Sequence, residues 1–257
     1  MNKLWRIFAT GLCFTIFALG GLVLTILVLP CQRVFCKDTL TAQQQSRKTV
    51  QYATKLFIGI MQFTQTSHFN VKNRRKFSDF RGTVVICNHP SLIDVVLLIS
   101  VIPNAVCIVK ANLFKNPFIR GVLSNTGYIS NDNAEQLIED CRDSLAQGNN
   151  LIIFPEGTRT TPNKPLKFKR GVANIVIRCG SPIQCFKLKI NPTTLTKNEK
   201  WYRVPVRKFQ VDLNLMPAVP MPKAQEEAPI SLLSRIYTRE LEQFYNKELE
   251  SNVRLKS

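Results

Sequence analysis

Hydrophobic positions follow two patterns along the chain, one before residue 72 and one after it. From residue 7 to residue 30 no charged side chain occurs, and Phe, Leu, Ile, Val, Gly and Ala dominate. This stretch is longer than the roughly 20 residues that a helix needs to cross the hydrocarbon core of a bilayer. It predicts a membrane helix. The alternative is a secretory signal peptide, because Lys3 and Arg6 precede the apolar run, but its length and the absence of a small-x-small cleavage site favour the membrane helix.

A second apolar pattern, over residues 50–69, predicts an amphipathic helix. Its large side chains recur at helical spacing among Gln, Thr and Lys55, which gives one apolar face. Two interpretations stay open: a hairpin with the first helix that enters one leaflet, or an ordinary surface helix packed on the core. Cations on both sides of the first helix leave its orientation open. We therefore divide the chain into 1–72, an N-terminal membrane helix plus amphipathic helix, and 73–257, a separate domain.

Within 73–257, short runs rich in valine and isoleucine alternate with helical patterns. The predicted strands are 83–87, 105–109, 128–130, 150–154, 183–189 and 209–216. The predicted helices are 90–100, with Pro90 in its first turn, 133–147, 168–179 and 230–249. Such alternation predicts an α/β fold with a mostly parallel central sheet flanked by helices, here preceded by an N-terminal membrane-embedded helical pair.

The positive charge of the chain is typical of a domain that binds a polyanion. The net charge is +18, and residues 159–208 hold thirteen Lys and Arg against one acid, Glu199. Nucleic acid, an anionic membrane and phosphate-bearing substrates all fit, as does a solvated basic surface. Eight cysteines without a C-x-x-C pair lie largely in apolar runs, which indicates buried thiols in a reducing compartment. No metal and no bound cofactor is predicted.

Of the two histidines, His89 carries a chemical signal, whereas His68 at the end of the second helix is interpreted as structural. His89 directly follows a predicted strand, in Asn88-His89-Pro90-Ser91-Leu92-Ile93-Asp94. Catalytic groups of α/β folds gather at the carboxyl ends of strands. An imidazole there can take a proton from an alcohol while Asp94 orients the ring. The plainer interpretation is a histidine at a helix start with a surface aspartate.

A second polar cluster follows the strand at 150–154, in Phe154-Pro155-Glu156-Gly157-Thr158-Arg159. Gly157 allows close backbone approach, Glu156 can accept a hydrogen bond from a substrate hydroxyl, and Arg159 can grip a phosphate with two donors. The alternative is a capping loop with an ion pair, which any α/β protein can have.

Together the two clusters resemble the glycerolipid acyltransferase superfamily, specifically the 1-acylglycerol-3-phosphate acyltransferases. The family pattern N-H-x-S-x-x-D is similar to residues 88–94, F-P-E-G-T-R-S to 154–160 with Thr160 last, and K-x-E-L to 110–113. The resemblance implies His89 as general base and Asp94 as its orienting carboxylate. It also implies a substrate-binding set made of Asn88, Ser91, Lys110, Glu156, Gly157, Thr158 and Arg159.

This chain departs from the family pattern at positions that bear on the acceptor. Asn131 stands where the family has an arginine that contacts the acceptor phosphate, and Asn112 stands for the glutamate of K-x-E-L. Lys169, Arg170 or another residue of the basic stretch would then substitute, or the acceptor has a different head group.

The sequence thus predicts a membrane-bound O-acyltransferase that moves a fatty acyl group from acyl-CoA or acyl-ACP to a lysophospholipid such as 1-acylglycerol-3-phosphate. The expected partners are membrane lipids, the lysophospholipid acceptor and the acyl-CoA or acyl carrier protein donor, with no nucleic acid. The expected location is a bacterial inner membrane with the catalytic domain on its cytoplasmic face. The main alternative is a catalytically idle membrane scaffold or lipid-binding protein of the same fold. A serine hydrolase is disfavoured because no G-x-S-x-G sequence occurs, and a nucleic-acid binder would leave both motifs unexplained.

Overall fold

A computed structural model of the protein describes residues 3–161, 164–219 and 228–254. The extreme ends of the predicted segments 1–72 and 73–257 therefore lie outside the described residues. The α-helices are α1 (Lys3–Val23), α2 (Leu29–Val34), α3 (Thr39–Phe63), α4 (Ile93–Val101), α5 (Arg120–Thr126), α6 (Ala134–Ala146), α7 (Arg170–Cys179) and α8 (Ile230–Arg254). A π-helical turn, Leu24–Val28, joins α1 to α2, and 3-10 helices occupy Arg74–Asp79 and Ala111–Lys115.

The strands form one seven-stranded sheet in the order β1-β7-β6-β2-β5-β3-β4. They are β1 (Ser67–Val71), β2 (Val84–Cys87), β3 (Ala105–Val109), β4 (Ile129–Ser130), β5 (Asn150–Ile153), β6 (Ile183–Asn191) and β7 (Phe209–Leu215). All neighbours pair in parallel except β6 and β7. Strands β2 and β5 at the centre are buried along their whole length, as expected where helices cover both faces. The predicted α/β class with a mostly parallel sheet is confirmed.

The segment 50–69 is the place where the predicted elements differ most from the structure. Helix α3 ends at Phe63, the backbone turns through Gln65 at a φ of 57°, and β1 begins at Ser67. The sequence prediction was wrong here because His68 and its neighbours pair with β7, which is distant in sequence. The sheet therefore includes residues that precede position 73. Helix α4 also begins later than predicted, at Ile93, so Pro90 lies in a turn before it.

The N-terminal helices pack on the domain and still expose much apolar surface. Helix α1 and the π turn contact α3 and α5. Close approach needs glycine: a Cβ on Gly21 would lie 2.9 Å from the Phe118 carbonyl oxygen, and one on Gly121 would clash with Thr25. The outward side remains largely apolar, with exposed Leu4, Trp5, Phe8, Leu12, Phe17, Leu19, Val23, Ile26 and Leu27.

A buried arginine fastens α3 to the rest of the domain. Arg47 donates to Oδ1 of Asn104 (2.6 Å), to the carbonyl oxygen of Thr126 (2.7 Å) and to Oδ1 of Asn149 (3.1 Å). These acceptors belong to the loop before β3, the end of α5 and the residue before β5. Burial lowers the pKa of Arg47 to about 10, since no carboxylate among the described residues pairs with it. The guanidinium is thus held by neutral acceptors alone.

We predict that Arg47→Ala lowers the free energy of unfolding by about 3 kcal/mol, because three buried acceptors lose their donor. Lys48→Ala removes an equal charge from the exposed side of the same helix and should change stability by less than about 0.5 kcal/mol. Thermal or urea unfolding of the detergent-solubilised protein measures both. Equal losses in the two variants would show that the Arg47 contacts do not stabilise the fold.

Candidate active site

The residues of both sequence motifs meet at one edge of the sheet. His89 lies two residues after β2, and the loop 154–160 follows β5, the strand that pairs with β2. Lys110 directly follows β3, on the other side of β5. Because these three strands are parallel, their carboxyl ends open toward the same side, where ligands of α/β sheets bind. The fold therefore brings together three segments that are about twenty to seventy residues apart in sequence.

His89 and Asp94 form a hydrogen-bonded pair at the centre of this edge. Nδ1 of His89 lies 3.1 Å from Oδ2 of Asp94, and the side chains are 15% and 0% exposed respectively. The same Oδ2 accepts the backbone N–H of Ser91 at 2.7 Å, so the carboxylate closes the turn that precedes α4. The imidazole stacks on the ring of Phe154 with centroids 4.1 Å apart. Nε2 makes no hydrogen bond to a described residue, which leaves it available to a ligand.

Burial makes the Asp94 carboxylate an unusual group. It raises the pKa of Asp94 to about 6, although the hydrogen bond from His89 acts in the opposite direction. Oδ1 of Asp94 has no partner among the described residues. Near pH 6 this carboxyl group is therefore divided between its charged and neutral forms. The hydrogen bond to His89 is the contact that most stabilises the charged form.

The loop after β5 is bonded directly to His89. Oε1 of Glu156 accepts the backbone N–H of His89 at 2.9 Å and the hydroxyl of Thr160 at 2.8 Å. The N–H of Thr160 donates to the carbonyl oxygen of His89 at 2.7 Å. Burial raises the pKa of Glu156. Glu156 was predicted to accept from a substrate hydroxyl, but the structure uses its Oε1 to position His89.

Asn88 and Ser91, both predicted to bind substrate, are turned into the protein. The amide of Asn88 donates to the carbonyl oxygen of Leu188 at 2.9 Å and accepts the N–H of Leu188 at 2.8 Å, which ties the end of β2 to β6. Ser91 is fully buried, and its hydroxyl has no partner among the described residues. In this structure the two residues shape the turn that carries His89, and their role in substrate binding stays a prediction.

Cationic side chains also lie on the segments that follow β3 and β5. Gly157 has a φ of 65°, and a Cβ there would lie 3.0–3.2 Å from the last three side-chain atoms of Lys169. The Lys169 side chain therefore lies across Gly157, in a place that only glycine leaves free. Thr158 is half-buried beside it, and Lys110 is exposed at the start of its 3-10 helix.

Arg159 uses part of its guanidinium group to hold a neighbouring loop. Its Nη1 donates to the carbonyl oxygens of Leu195 (2.9 Å) and Thr196 (2.8 Å) in the loop between β6 and β7. No other guanidinium nitrogen bonds a described residue. The sequence did not reveal this contact, because nothing in residues 192–208 matches a motif and the partners are backbone carbonyls.

A shallow cleft of about 710 Å³ lies at the ends of β3 and β4, beside the position where the family pattern has its arginine. Two cations and one acid contribute to its lining, which is Ala111, Phe114, Lys115, Arg120, Ser124, Ser130 and Asp132. Asn131 points its Oδ1 toward the backbone N–H of Ala111 at 3.4 Å. Among the described residues no cluster of three metal-ligating side chains occurs.

Comparison with known proteins finds a similar domain and similar sequences. Residues 68–189 match the family model described as Acyltransferase. The 1-acyl-sn-glycerol-3-phosphate acyltransferase of Helicobacter pylori strain J99 is 34% identical over 129 residues, which are 48% of this chain and 52% of that protein. The enzyme of the same name from Cocos nucifera is 36% identical over 115 residues, 42% of this chain and 37% of that protein. The chain thus spans about half or less of the length of these curated relatives.

A solved structure extends the likeness to the whole fold. The crystal structure of the 1-acyl-sn-glycerophosphate (LPA) acyltransferase PlsC from Thermotoga maritima superposes with a TM-score of 0.65 at 21% identity. The match covers 96% of this chain and 97% of that one, so it includes the N-terminal helices. At this identity the likeness shows a shared fold. Residues 68–189 are thus similar in sequence to an Acyltransferase domain and to named acyltransferases, and the chain shares its fold with one of them.

Proposed function

We propose that the protein is a membrane-bound O-acyltransferase that transfers a fatty acyl group from an acyl thioester, acyl-CoA or acyl-ACP, to the hydroxyl of a lysophospholipid. The observation that carries this proposal is the His89–Asp94 pair. A carboxylate with 0% exposure orients a histidine whose second ring nitrogen is free, at the strand edge where ligands enter. A histidine so held can serve as a general base toward an alcohol.

The proposed reaction uses Nε2 of His89 twice. It removes the proton from the acceptor hydroxyl while that oxygen attacks the thioester carbonyl carbon. The resulting imidazolium is stabilised by Asp94, 3.1 Å from Nδ1. The carbon–sulfur bond then breaks, and the departing thiolate takes the proton from the imidazolium. The products are the ester and the free thiol, and His89 returns to its neutral form.

We propose 1-acylglycerol-3-phosphate as the acceptor, because the matched relatives are named for acylating it. Its phosphate needs cations near the reacting hydroxyl. Lys169 lies across Gly157 in the loop bonded to His89, and Lys110 stands at the next strand end. Arg159 still has donors free after holding Leu195 and Thr196. These groups compensate for Asn131, with Lys169 the best placed of them.

The apolar N-terminal helices support a membrane location. Lys3–Val34 is long and apolar enough to cross a bilayer by length and composition. However, α1 touches the domain at intervals along its length: Trp5 donates to the Thr64 carbonyl oxygen, and Gly21 approaches Phe118. A helix held along the side of a domain fits one leaflet better than a perpendicular span. We place the domain on the cytoplasmic face of a bacterial inner membrane.

We predict that His89→Ala abolishes label transfer from an acyl thioester to lysolipids, a loss on the order of 10²–10⁴-fold. His68→Ala is the matched control: it removes the other histidine, exposed on edge strand β1, and should leave the rate unchanged. Washed membranes and a panel of lysophosphatidic acid and other lysolipids provide the assay. Equal rates in wild type and His89→Ala, or no acceptor labelled with either donor, would favour the idle membrane scaffold.

We predict that Asp94→Asn makes the protein more stable and less active. The folded protein holds the Asp94 proton with a pKa of about 6, above the ordinary 3.8, so the folded state loses stability as pH rises from about 4 to about 6. Above pH 7 the ionised Asp94 lowers the free energy of unfolding by about 3 kcal/mol. The variant has no ionisable group at this position and does not lose this stability. Its melting temperature should exceed that of wild type at pH 8 and converge with it near pH 4. Its activity should fall about a hundredfold or more.

The exposed Asp143→Asn change serves as the control for that experiment and should show no such pH-dependent difference. Wild-type activity should itself decline as pH falls through about 6, because protonated Asp94 no longer stabilises the imidazolium. A melting temperature for Asp94→Asn below that of wild type at pH 8 would contradict the assigned cost.

We predict that Lys169→Met raises the KM for lysophosphatidic acid about tenfold with little change in kcat, since one charge-assisted contact to the phosphate is lost. Lys167→Met removes a neighbouring exposed cation and should leave KM unchanged. Initial rates over a range of acceptor concentrations distinguish the two. The same KM in both variants would exclude Lys169 as a phosphate ligand.

A further inference from the structure

The loop between β6 and β7, residues 192–208, has a role that neither motif explains. It is seventeen residues long and contains no regular helix or strand, although connections of that length are uncommon in compact domains and usually functional. Five of its side chains are cationic and one, Glu199, is acidic. We call this segment the aromatic–basic loop. Its length and charge are not required by the turn from β6 to its antiparallel neighbour β7, which a few residues would complete.

The inner half of the aromatic–basic loop is fixed to the active site. Leu195 is buried, and its carbonyl oxygen accepts hydrogen bonds from Nη1 of Arg159 at 2.9 Å and from the N–H of Leu92 at 3.2 Å. Glu199 accepts the N–H of Thr196 at 2.9 Å, so the acid is used within the loop. This half is therefore rigidly positioned beside the turn that carries His89.

The outer half presents large apolar and aromatic side chains to solvent. Trp201 and Tyr202 are each 45% exposed, and Val206 is 89% exposed. The two rings contact each other edge to face, with centroids 5.7 Å apart. Tryptophan and tyrosine with one apolar and one polar end are favoured at the boundary between lipid and water. Their exposure here has no explanation within the described fold.

Five cations flank these rings in the sequence, and all of them are exposed. They are Lys197, Lys200, Arg203, Arg207 and Lys208. The ammonium of Lys200 lies 5.6 Å from the centroid of the Tyr202 ring. Basic side chains beside interfacial aromatics match an anionic lipid surface in both charge and polarity. An acidic protein would match the charge alone.

The outer half is also continuous with the apolar N-terminal helix. The Trp201 ring packs on α1 at Gly11, where a Cβ would lie 3.2 Å from it, and its centroid lies 6.2 Å from that of Phe14. Arg6 donates to the Pro205 carbonyl oxygen at 3.2 Å. Phe8 and Leu12 of the same helix are exposed. Lipid that covers this side of α1 therefore reaches the loop.

We propose that the aromatic–basic loop is a second lipid-contacting element, which lies on an anionic phospholipid surface beside α1. This rests on the membrane-bound part of the proposed function. Trp201 and Tyr202 enter the interface, and Lys200 and Arg203 bind the lipid phosphates. Because Arg159 bonds the inner half, the loop sets the height of the His89 turn above the lipid from which a lysolipid acceptor would come.

Single-tryptophan variants test the contact directly, since the chain has only Trp5 and Trp201. Trp5→Phe leaves Trp201 as the reporter, and Trp201→Phe leaves Trp5. Each full-length variant is reconstituted into vesicles of phosphatidylcholine, with or without phosphatidylglycerol, whose acyl chains are brominated near the carbonyl end. We expect the emission of Trp201 to be quenched by the brominated lipid, more strongly when phosphatidylglycerol is present. Quenching of Trp5 alone would show that the helix meets lipid without the loop and would overturn the proposal.

Charge variants in the Trp5→Phe background test the anionic surface. Lys200→Gln/Arg203→Gln should weaken the phosphatidylglycerol-dependent contact roughly 25-fold, at about fivefold per cation. Arg142→Gln/Arg178→Gln removes the same charge from exposed positions on α6 and α7 and should have no effect. Equal quenching in both pairs would refute a role for the loop cations.

Failure of this proposal is distinguishable from failure of the proposed acyl transfer. The quenching needs neither donor nor acceptor, so a chain that also carries His89→Ala must give the same result. If neither tryptophan is quenched, the loop contact and the membrane location are both wrong. If Trp201 is unquenched by lipid but its emission changes on addition of acyl carrier protein, the loop serves an acidic protein instead.

Discussion

His89 is held by its backbone as well as by its ring, and the geometry of the site depends on that double attachment. Glu156 accepts its N–H and Thr160 donates to its carbonyl oxygen, which joins the turn after β2 to the loop after β5. Asp94 then fixes the ring through Nδ1. Because the two segments are bonded in both directions, neither can shift without moving the other. In the proposed reaction, this arrangement pre-organises His89 as the base before the acceptor hydroxyl arrives.

The buried carboxylate at the centre is costly for the fold and useful for the proposed chemistry. A charged group without access to water weakens the folded state unless a partner compensates for it. Asp94 receives the N–H of Ser91 and the ring of His89, but burial still raises its pKa to about 6. The electrostatic attraction between Asp94 and His89 becomes stronger when the imidazole is protonated, because it acts in a region of low dielectric constant. Replacing Asp94 by a neutral residue would stabilise the fold but would remove this attraction.

The site is connected to the N-terminal helices through the aromatic–basic loop. Arg159 bonds the inner half of that loop, and the outer half contacts α1 through Trp201 and through the Pro205 carbonyl oxygen. A residue of the motif expected to bind phosphate thus also links the reaction centre to the most apolar helix of the chain. These hydrogen bonds and ring contacts are continuous from α1 to the His89 turn, so in the proposed membrane location the orientation of α1 also orients that turn.

The sequence by itself determined the α/β class, most strands and helices, and the pairing of His89 with Asp94, since alternating patterns and short spacings are local properties. It also offered Lys169 and Arg170 as candidate cations in place of the family arginine, where this chain has Asn131. Only the tertiary structure decided what depends on partners distant in the chain. Strand β1 exists because β7 lies beside it, and the side chain of Asn88 is hydrogen-bonded to the backbone of Leu188, a hundred residues away. Glu156 and Arg159 were assigned to substrate from motif chemistry, yet their bonds to His89 and to the loop carbonyls arise from packing that no local pattern encodes.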